Sequence, residues 1–394
     1  MSPILVSAHI KNYKNLGNVN LNFRKLTIIV GANSSGKSCS LESLNLLNLL
    51  VKAGKTPSSA YLENDIRKGQ DISGITIQVS IKENRTKVNY SLNLTAKDNS
   101  EESSVILSEK LKVGRIEVIS IHNGEGTVQD ESTNVGHSKQ SYRATPNTVA
   151  LSSSGNFGDK PITLNIANFI RRWGFYDLDP DSIRRYAFTY LRNEAIPENP
   201  TSLDFYGQHL QGLLQHWASD DMQIFQQVSD EVRRYVDVDL VAVDYKGRLV
   251  VKVKEPNGLE IPFGNLSDGT LRMIGYCSLL YSPDIPTLIA IEEPERNLHP
   301  GILEDVASIL KRLSQKTQVV ITTHSSQLLD CFSMEDISTN VSVILFRKNP
   351  KTGTEAIGLD TLSQNNDGLQ DWMQDFGIGS AIYHSTLIQE MLGN

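Results

Sequence analysis

The sequence predicts an α/β fold with an antiparallel β-rich lobe, a helical insertion and a second α/β lobe. Residues 75–121 hold several alternating or β-branched runs separated by short polar breaks, which is typical of an antiparallel meander. Residues 164–236 repeat apolar residues at spacings of three and four, which predicts amphipathic helices. Apolar runs at 26–30, 287–291 and 319–321 predict strands buried on both faces.

Length and composition are those of an ordinary globular protein. The chain has 394 residues, of which 39% are hydrophobic and 21% are charged, so there is ample apolar material for a core. We expect three segments: a first lobe at 1–150, a helical insertion at 151–238 and a second lobe at 239–394. We find no internal repeat and no sustained heptads.

The net charge of −7 gives no overall electrostatic reason to expect nucleic acid, so a DNA contact would need a local basic patch. The best local candidate is the segment 171–192. Its arginines are Arg171, Arg172, Arg184, Arg185 and Arg192, and acidic residues interleave with them. We therefore favour an ordinary solvated surface there, and DNA stays a possible partner.

The cysteines and the hydropathy pattern indicate the cellular compartment in which we expect the protein. Cys39, Cys277 and Cys331 are far apart and form no C-x-x-C pair, which favours a reducing compartment. No apolar run is long enough to cross a membrane, and the N-terminus lacks the layout of a signal peptide. We expect a cytoplasmic protein with no membrane partner.

The first strands lead into a glycine-rich loop. Ile4, Val6, Ala8 and Ile10 alternate, as do Val19, Leu21 and Phe23, so residues 3–30 should form two or three strands. Residues 31–38, read Gly-Ala-Asn-Ser-Ser-Gly-Lys-Ser, fit the phosphate-binding pattern G-x-x-x-x-G-K-[ST]. An apolar strand precedes this loop and a helical run with leucines at 41, 44, 47 and 50 follows it, as the motif requires.

The chemistry of this loop explains its residue types. The glycines allow the backbone N–H groups to point at phosphate oxygens, the lysine adds a charge for the β- and γ-phosphates, and the last serine offers a hydroxyl to Mg²⁺. The predicted nucleotide-binding residues here are Gly31, Asn33, Ser34, Ser35, Gly36, Lys37, Ser38 and Cys39. The alternative is a Gly/Ser-rich turn between a core strand and a core helix.

Residues 122–148 are rich in Gly, Ser, Thr, Asn and Gln, and we interpret them as a mobile loop. The second half of the chain then holds three further motifs. The first, Asn265-Leu266-Ser267-Asp268-Gly269-Thr270, precedes an apolar helix. Taken alone, it is better explained as a helix N-cap, with Ser267 or Asp268 as the capping residue.

The other two motifs end buried strands with polar side chains. The run 287–291 ends in Glu292 and Glu293, and ATP hydrolysis needs one carboxylate linked to Mg²⁺ and another that activates water. Because strand side chains alternate, these two should point in different directions. The run 319–323 ends in His324, for which a structural role is the alternative.

The order of these motifs resembles ABC-type ATPase heads of the RecF/SMC-like branch, which includes the ATPase parts of several prokaryotic defence proteins. The phrases "LSDGTLR", "IEEPERNLHP" and "ITTHSSQLL" carry this resemblance, and so does Ile10-Lys11-Asn12-Tyr13-Lys14 near the start. It covers about 1–50 and 260–330. It implies a homodimer, or a higher homo-oligomer, that sandwiches ATP and Mg²⁺.

The resemblance also implies roles for individual residues. Ser267 and Gly269 of one copy would meet the γ-phosphate held by Lys37 of the other. Glu293 matches the catalytic base, Glu292 the Mg²⁺-linked acid, and His324 the γ-phosphate contact. Lys14 is a candidate nucleotide contact, with a surface lysine as the alternative.

The sequence departs from the family pattern at several positions. Glu292 stands where Asp is usual, and Asp268 adds negative charge beside the phosphate, which weakens the expectation of a tightly closed dimer. The family's glutamine loop has only Gln78 and Gln140 as guesses. Arg272 and Arg296 are read as exposed ion-pair partners, with a subunit-bridging role as the alternative.

Two biological outputs compete. One is an ATPase that holds or releases a separate effector protein in phage defence. The other is a DNA-associated ATPase of repair or chromosome maintenance. The missing coiled coil and the acidic balance favour the first, and a monomeric nucleotidase would leave the L-S-D-G segment without a role.

Overall fold

The computed structural model describes residues 2–69, 74–96, 104–131, 139–191, 200–245, 248–349, 351–363 and 367–384. Its strands are β1 (Ile4–Tyr13), β2 (Leu16–Asn22), β3 (Leu26–Gly31), β4 (Gly74–Glu83), β5 (Thr86–Thr95), β6 (Val105–Val113), β7 (Ile116–His122), β8 (Glu125–Val128), β9 (Gln140–Arg143), β10 (Trp173–Tyr176), β11 (Asp239–Tyr245), β12 (Arg248–Lys254), β13 (Glu260–Pro262), β14 (Leu288–Glu292), β15 (Gln318–Thr323), β16 (Val341–Asn349) and β17 (Gly353–Gly358).

Helices occur between these strands along the chain, so the fold is mixed α/β. They are α1 (Lys37–Ala53), α2 (Ser59–Asp65), α3 (Leu151–Ser154), α4 (Pro161–Arg171), α5 (Pro180–Leu191), α6 (Leu210–Asp220), α7 (Met222–Val236), α8 (Asp268–Tyr281), α9 (Leu303–Lys316), α10 (Ser326–Asp330), α11 (Met334–Thr339), α12 (Leu359–Ser363), α13 (Asp367–Phe376) and α14 (Ile378–His384). Within the described ranges, no helix is both long and apolar enough to span a membrane.

The chain divides into two compact units. The first comprises Met1–Trp173 and Asn340–Asp367, and the second comprises Gly174–Thr339 and Gly368–Asn394. The three predicted segments, 1–150, 151–238 and 239–394, do not coincide with these units. Helices α3 and α4 of the predicted insertion fall in the first unit, whereas α5, α6 and α7 fall in the second.

The first unit is built on an eight-stranded antiparallel sheet in the order β2-β1-β4-β5-β6-β7-β8-β9. Its strands alternate buried apolar and exposed polar residues, so one face packs on the core. The predicted meander is therefore confirmed. The prediction of a loop at 122–148 is wrong at 125–128 and 140–143, where β8 and β9 extend the sheet, whereas 129–131 and 144–148 lie outside the strands; residues 132–138 lie outside the described ranges.

The first unit also contains the strand and helix that flank the glycine-rich loop. Strand β3 is buried from Leu26 to Val30 and pairs in parallel with β16. In α1 the leucines at 41, 44, 47 and 50 are buried, as predicted, and each contributes about 1.5–3 kcal/mol by leaving water. Asn48 of α1 donates to the Ile170 carbonyl of α4 at 2.5 Å.

The second unit combines a parallel strand pair with a helical cluster. Strands β14 and β15 pair in parallel, with Glu292 in register with Thr322. Strand β11 pairs with β12 and β12 with β13, both antiparallel; residues 246–247, between β11 and β12, lie outside the described ranges. Asp221 caps α7 by accepting from the Ile224 amide.

Candidate functional site

The glycine-rich loop joins β3 to α1 in the first unit, as the motif predicts. Gly36 is the N-cap of α1 with φ of +102°, and a Cβ at this position would come within 2.8 Å of the Asn15 side chain. A Cβ at Gly31 would lie 2.5 Å from the Phe346 carbonyl oxygen. Because a glycine N-cap has no side chain to accept from the helix, the first N–H groups of α1 can serve an anion.

Neighbouring residues hold the loop in place. The Thr354 hydroxyl donates to the Ser35 carbonyl at 2.6 Å, and Asn15 donates to the Ser34 carbonyl at 3.2 Å. The Lys37 ammonium donates to the Gly31 and Ala32 carbonyls at 2.8 and 3.2 Å, so it lies across the loop opening.

The residues of this loop fit a phosphate group. The Ser35 hydroxyl is buried and has no hydrogen-bond partner among the described residues. Asn33, Ser34 and Ser38 are exposed on the same loop, and Cys39 is half-buried in the first turn of α1. A buried hydroxyl without a partner, beside a glycine-capped helix, is satisfied by a phosphate oxygen.

Lys14 lies beside α1. Its ammonium is 2.5 Å from Glu42 of α1 and 3.5 Å from Asp65. Burial alone would lower the pKa of Lys14, but the hydrogen bond and the charge of Glu42 raise it overall. The lysine is thus a charged group held by two acids.

The acidic motif lies at the end of β14 in the second unit. The strand ends at Glu292, and Glu293 follows it with φ of +39°, a left-handed conformation that is strained for a residue other than glycine. The Glu293 amide donates to the carbonyl oxygen and to the hydroxyl of Thr322 in β15, at 3.1 and 3.2 Å. Glu293 therefore lies just beyond the end of β14, outside the strand alternation on which the expectation for the two carboxylates was based.

His324 lies between two carboxylates. Its Nδ1 atom is 3.2 Å from Glu293 Oε1 and 3.7 Å from Glu295 Oε1, and half of its side chain is exposed. Glu295 is buried and accepts from the Thr323 hydroxyl at 2.6 Å and from the His324 amide at 3.2 Å. Burial raises the pKa of Glu295, although these hydrogen bonds lower it in part.

The L-S-D-G segment begins α8 in the same unit. Ser267 is the N-cap and its hydroxyl accepts from the Thr270 amide at 3.2 Å, so the N-cap interpretation is confirmed. The helix is packed tightly against the acidic motif, since the Tyr276 hydroxyl donates to the Pro294 carbonyl at 3.1 Å. Gly269 lies in the first turn, where a Cβ would be 3.5 Å from the Leu298 side chain, an ordinary contact distance.

Asp268 is neutralised by an arginine from another helix. The Arg184 guanidinium of α5 pairs with the Asp268 carboxylate and donates to the Leu266 carbonyl at 2.9 and 3.2 Å. The hydrogen bond to Asp268 raises the pKa of Arg184, and Asn297 donates to the other Asp268 oxygen at 3.1 Å. The negative charge predicted to weaken the closed dimer is therefore balanced within the unit.

The remaining predictions had mixed outcomes. Arg272 is buried in α8, so reading it as an exposed ion-pair partner is wrong; its guanidinium lies 3.4 Å from the Tyr276 hydroxyl. Arg296 does form an ion pair, with Asp177. Gln78 and Gln140, the guesses for a glutamine loop, lie in β4 and β9 and not in a loop.

The segment 171–192 is not a free basic patch where the structure describes it. Arg184 forms ion pairs with Asp268 and Asp181. Arg171 donates hydrogen bonds to the Asn168 side chain and to the Ser152 carbonyl. Arg192 lies outside the described ranges. The preference for an ordinary surface agrees with these pairings.

The structure brings some predicted residues together. Gly31 to Cys39 lie in the first unit, and Ser267, Gly269, Glu292, Glu293 and His324 lie in the second. Within the second unit Glu293 contacts His324. The described residues include no cluster of three or more His, Cys, Asp or Glu side chains arranged for a metal ion.

Sequence reasoning missed Glu295 and Arg184. A third acid in Glu292-Glu293-Pro294-Glu295 was visible in the sequence, but its contact with the histidine motif depends on the register of β14 and β15. Arg184 was noted only as one arginine of the segment 171–192, because its partner Asp268 is 84 residues away along the chain.

The sequence and the structure are similar to known proteins. The family described as "AAA domain, putative AbiEii toxin, Type IV TA system" matches residues 26–330. An ATP/GTP phosphatase of Helicobacter pylori (strain ATCC 700392 / 26695) is 24% identical over 344 residues, which cover 83% of this chain and 87% of that protein.

Two solved structures share the fold. One is an SMC head bound to the C-winged helix domain of ScpA; its TM-score is 0.52 at 12% identity, covering 90% of this chain and 97% of that chain. The other is an Smc head with an extended coiled coil, bound to the C-terminal domain of ScpA derived from Pyrococcus furiosus. It has a TM-score of 0.53 at 11% identity and covers 93% of this chain and 100% of that chain.

Proposed function

The chain belongs to this AAA-domain family, and from that membership we propose that ATP brings two copies of it together and that hydrolysis releases them to gate a partner protein. The predicted RecF/SMC-like ATPase head is confirmed, and the chain is an ATP-hydrolysing enzyme. The proposal concerns how its residues perform this reaction and what the reaction controls.

The contact between Glu293 and His324 is the observation that carries the mechanism. Glu293 is the general base: its carboxylate takes a proton from the attacking water as that water adds to the γ-phosphate. His324, 3.2 Å from Glu293, is half exposed, so it can reach the γ-phosphate while Glu295 holds its backbone amide. The strained backbone at Glu293 supports a functional role, because such strain is concentrated at active sites.

The glycine-rich loop binds the phosphates. The backbone N–H groups at the start of α1 and the Ser35 hydroxyl donate hydrogen bonds to phosphate oxygens. The Lys37 ammonium exchanges its hydrogen bond to the Gly31 carbonyl for contacts with the β- and γ-phosphates. The Ser38 hydroxyl and the Glu292 carboxylate are the groups that would hold Mg²⁺. When bound, Mg²⁺ neutralises charge on the phosphates, and one or two protein groups suffice for it in such sites.

The second copy contributes the start of α8. Ser267 and Gly269 offer a hydroxyl, N–H groups and the positive end of a helix dipole to the γ-phosphate held by the first copy. Arg184 supports this role, because an Asp268 without its counterion would repel the phosphate. ATP therefore favours the closed pair, and loss of the γ-phosphate favours the open state.

The partner is a separate effector protein, and the setting is phage defence in the cytoplasm. The family description, which names a toxin of a type IV toxin–antitoxin system, supports a defence role. Two of the similar SMC heads are bound to a domain of another protein, ScpA, which supports a head that works through a partner. Three cysteines without disulfides agree with a reducing compartment.

Glu293→Gln tests the mechanism. We expect this variant to bind ATP but to hydrolyse it about 10²–10⁴-fold more slowly, the usual contribution of a general base. It should then accumulate as a dimer in ATP and Mg²⁺, measured by size-exclusion chromatography with light scattering. Glu304→Gln, the same change at an exposed glutamate of α9, is the matched control and should behave as the native protein does.

Two results would count against the proposal. Native turnover in Glu293→Gln would remove Glu293 as the base. ATP binding by a variant that stays monomeric would leave the hydrolysis mechanism standing and remove the two-copy arrangement.

A further inference from the structure

The eight-stranded sheet of the first unit has a polar face opposite its apolar core. The register places His9, Gln78, Ser91 and Lys110 side by side across β1, β4, β5 and β6. Most of their neighbours on this face, which lie two residues apart along each strand, are also polar. Apolar residues occur at its margin, where Ile4 lies opposite Lys82 and Val105 lies opposite Thr95, so the centre of the face is a polar surface.

Four lysines concentrate on three adjacent strands of this face. Lys82 of β4 lies directly opposite Lys87 of β5, and Lys112 of β6 lies opposite Asn89, one step diagonal from Lys87. Lys110 is two residues from Lys112 on the same strand. All four are exposed, and none pairs with a carboxylate in the described ranges.

This arrangement is unfavourable in the protein alone. Like charges directly opposite each other across two strands destabilise a sheet, and a diagonal neighbour about 7–8 Å away is still within reach of a long side chain. Only one acidic side chain among the described residues lies against the four lysines: Glu117 of β7 is directly opposite Lys112, so three of the four charges remain without an opposing acid. Glu125 pairs with Arg143 at 2.9 Å.

The positive patch contrasts with the rest of the chain. The net charge is −7, so a local excess of lysine on one face is not a consequence of composition. A polyanion placed on the patch would relieve the repulsion and would be attracted to this face of the molecule in particular.

The neighbouring side chains indicate which polyanion fits. A depression of about 370 Å³ on this face is lined by His9, Gln78, Asn89 and Ser91 as well as by lysines. Lysine, asparagine, glutamine and serine are side chains that contact phosphate and sugar oxygens.

Other classes of macromolecule fit less well. Protein interfaces concentrate their energy in Trp, Tyr and Arg and are depleted in Lys, and single strands stack their bases on aromatic rings. Tyr90 borders the depression, but it is 1% exposed and its hydroxyl donates to Glu109, so it presents no ring on which a base could stack. The chemistry therefore favours the backbone of a duplex.

We propose that the patch formed by Lys82, Lys87, Lys110 and Lys112 binds the sugar–phosphate backbone of a nucleic-acid duplex without reading its sequence. The assignment does not depend on the ATP site. It also places the basic surface on the β-rich sheet, far along the chain from the arginines of 171–192.

Binding of a labelled DNA duplex to the 394-residue chain tests the assignment. A duplex of about 20 base pairs is about 68 Å long, longer than the roughly 34 Å between the outermost of eight strands. Fluorescence anisotropy between about 50 and 200 mM salt gives the affinity and its salt dependence. The test variant changes all four patch lysines to Gln. The matched control makes the same change at exposed lysines away from the face, Lys25, Lys55, Lys68 and Lys254.

The native protein should bind, and the slope of log K against log salt should become shallower by about 3.6 in the test variant if all four lysines contact phosphates. The control should keep at least most of the native slope. Native ATP turnover by both variants would show that they are folded. Glu117→Gln removes the opposing acid and should tighten binding, a gain that misfolding cannot produce.

Three results would overturn the proposal. The first is a native protein that does not bind the duplex. The second is equal loss of binding in the test variant and the control. The third is displacement of the duplex by polyglutamate at equal charge concentration, which would indicate an acidic protein as the occupant.

Discussion

Protonation of Glu231 should destabilise the second unit, and the size of the effect follows from the contacts of this buried carboxylate. Glu231 of α7 is 1% exposed and accepts from Arg312 of α9 at 3.0 Å and from Tyr281 of α8 at 2.6 Å. Tyr235 donates to its other oxygen at 2.7 Å. The carboxylate thus joins three helices, one of which begins with the L-S-D-G segment.

The pKa of Glu231 gives the magnitude. Burial alone would raise this pKa, but the hydrogen bonds from Arg312, Tyr281 and Tyr235 lower it from the ordinary 4.5 to about 2. Because the pKa is lower in the folded protein, the stabilisation is complete well above pH 4.5 and is lost as the pH falls towards 2. Linkage gives about 3.4 kcal/mol at pH 6 and about 2.6 kcal/mol at pH 4.

Glu231→Gln isolates this contribution, since the amide has nearly the same shape and does not ionise. The native protein should exceed the variant in free energy of unfolding, and this difference should be smaller by about 0.8 kcal/mol at pH 4 than at pH 6. Urea unfolding followed by tryptophan fluorescence measures both values. Glu304→Gln should stay within about 0.5 kcal/mol of the native protein at pH 6. A difference that does not change with pH would refute the argument.

Two further predictions concern the nucleotide site. Lys37→Ala should abolish ATP binding, measured by isothermal titration calorimetry, because the loop loses the positive charge that contacts the phosphates. The control Lys52→Ala, at the far end of α1, should bind ATP normally. Retained affinity in Lys37→Ala would contradict the assignment of the loop. Arg184→Ala should lower ATP turnover by leaving Asp268 charged and unpaired, and adding Asp268→Asn should restore part of it. Arg185→Ala on the same helix is the control, and a double variant no better than the single one would show that Arg184 acts only through the Leu266 carbonyl.

The glycine-rich loop was predictable because its determinants are contiguous. Eight neighbouring residues specify the turn, and the flanking apolar patterns specify the strand and the helix. The same holds for the N-cap at Ser267, whose hydrogen bond spans three residues. Local spacing and residue type were sufficient for these features, and so were the alternating strands of the meander.

Features that depend on distant segments were not predictable. Arg272 was read as exposed because it is charged, but α8 is buried from Leu271 to Leu280, so its surroundings and not its own pattern decide its burial. Residues 122–148 looked like a loop because they are polar, yet β8 and β9 gain backbone hydrogen bonds from the growing sheet. The four patch lysines do not form a basic run in the sequence, because they lie on three separate strands and alternate with residues of the opposite face.

Arg184 and Asp268 show how a departure from a family pattern can be offset elsewhere in the chain. An aspartate in the L-S-D-G segment adds a negative charge where a phosphate is expected, which by Coulomb's law opposes binding. The guanidinium of α5 neutralises that charge and also holds the Leu266 carbonyl, which fixes the backbone just before the N-cap Ser267. Since the pair is partly buried, salt screens it less than an exposed pair. The charge at the start of α8 therefore depends on the position of α5, a helix that the sequence assigned to a separate insertion.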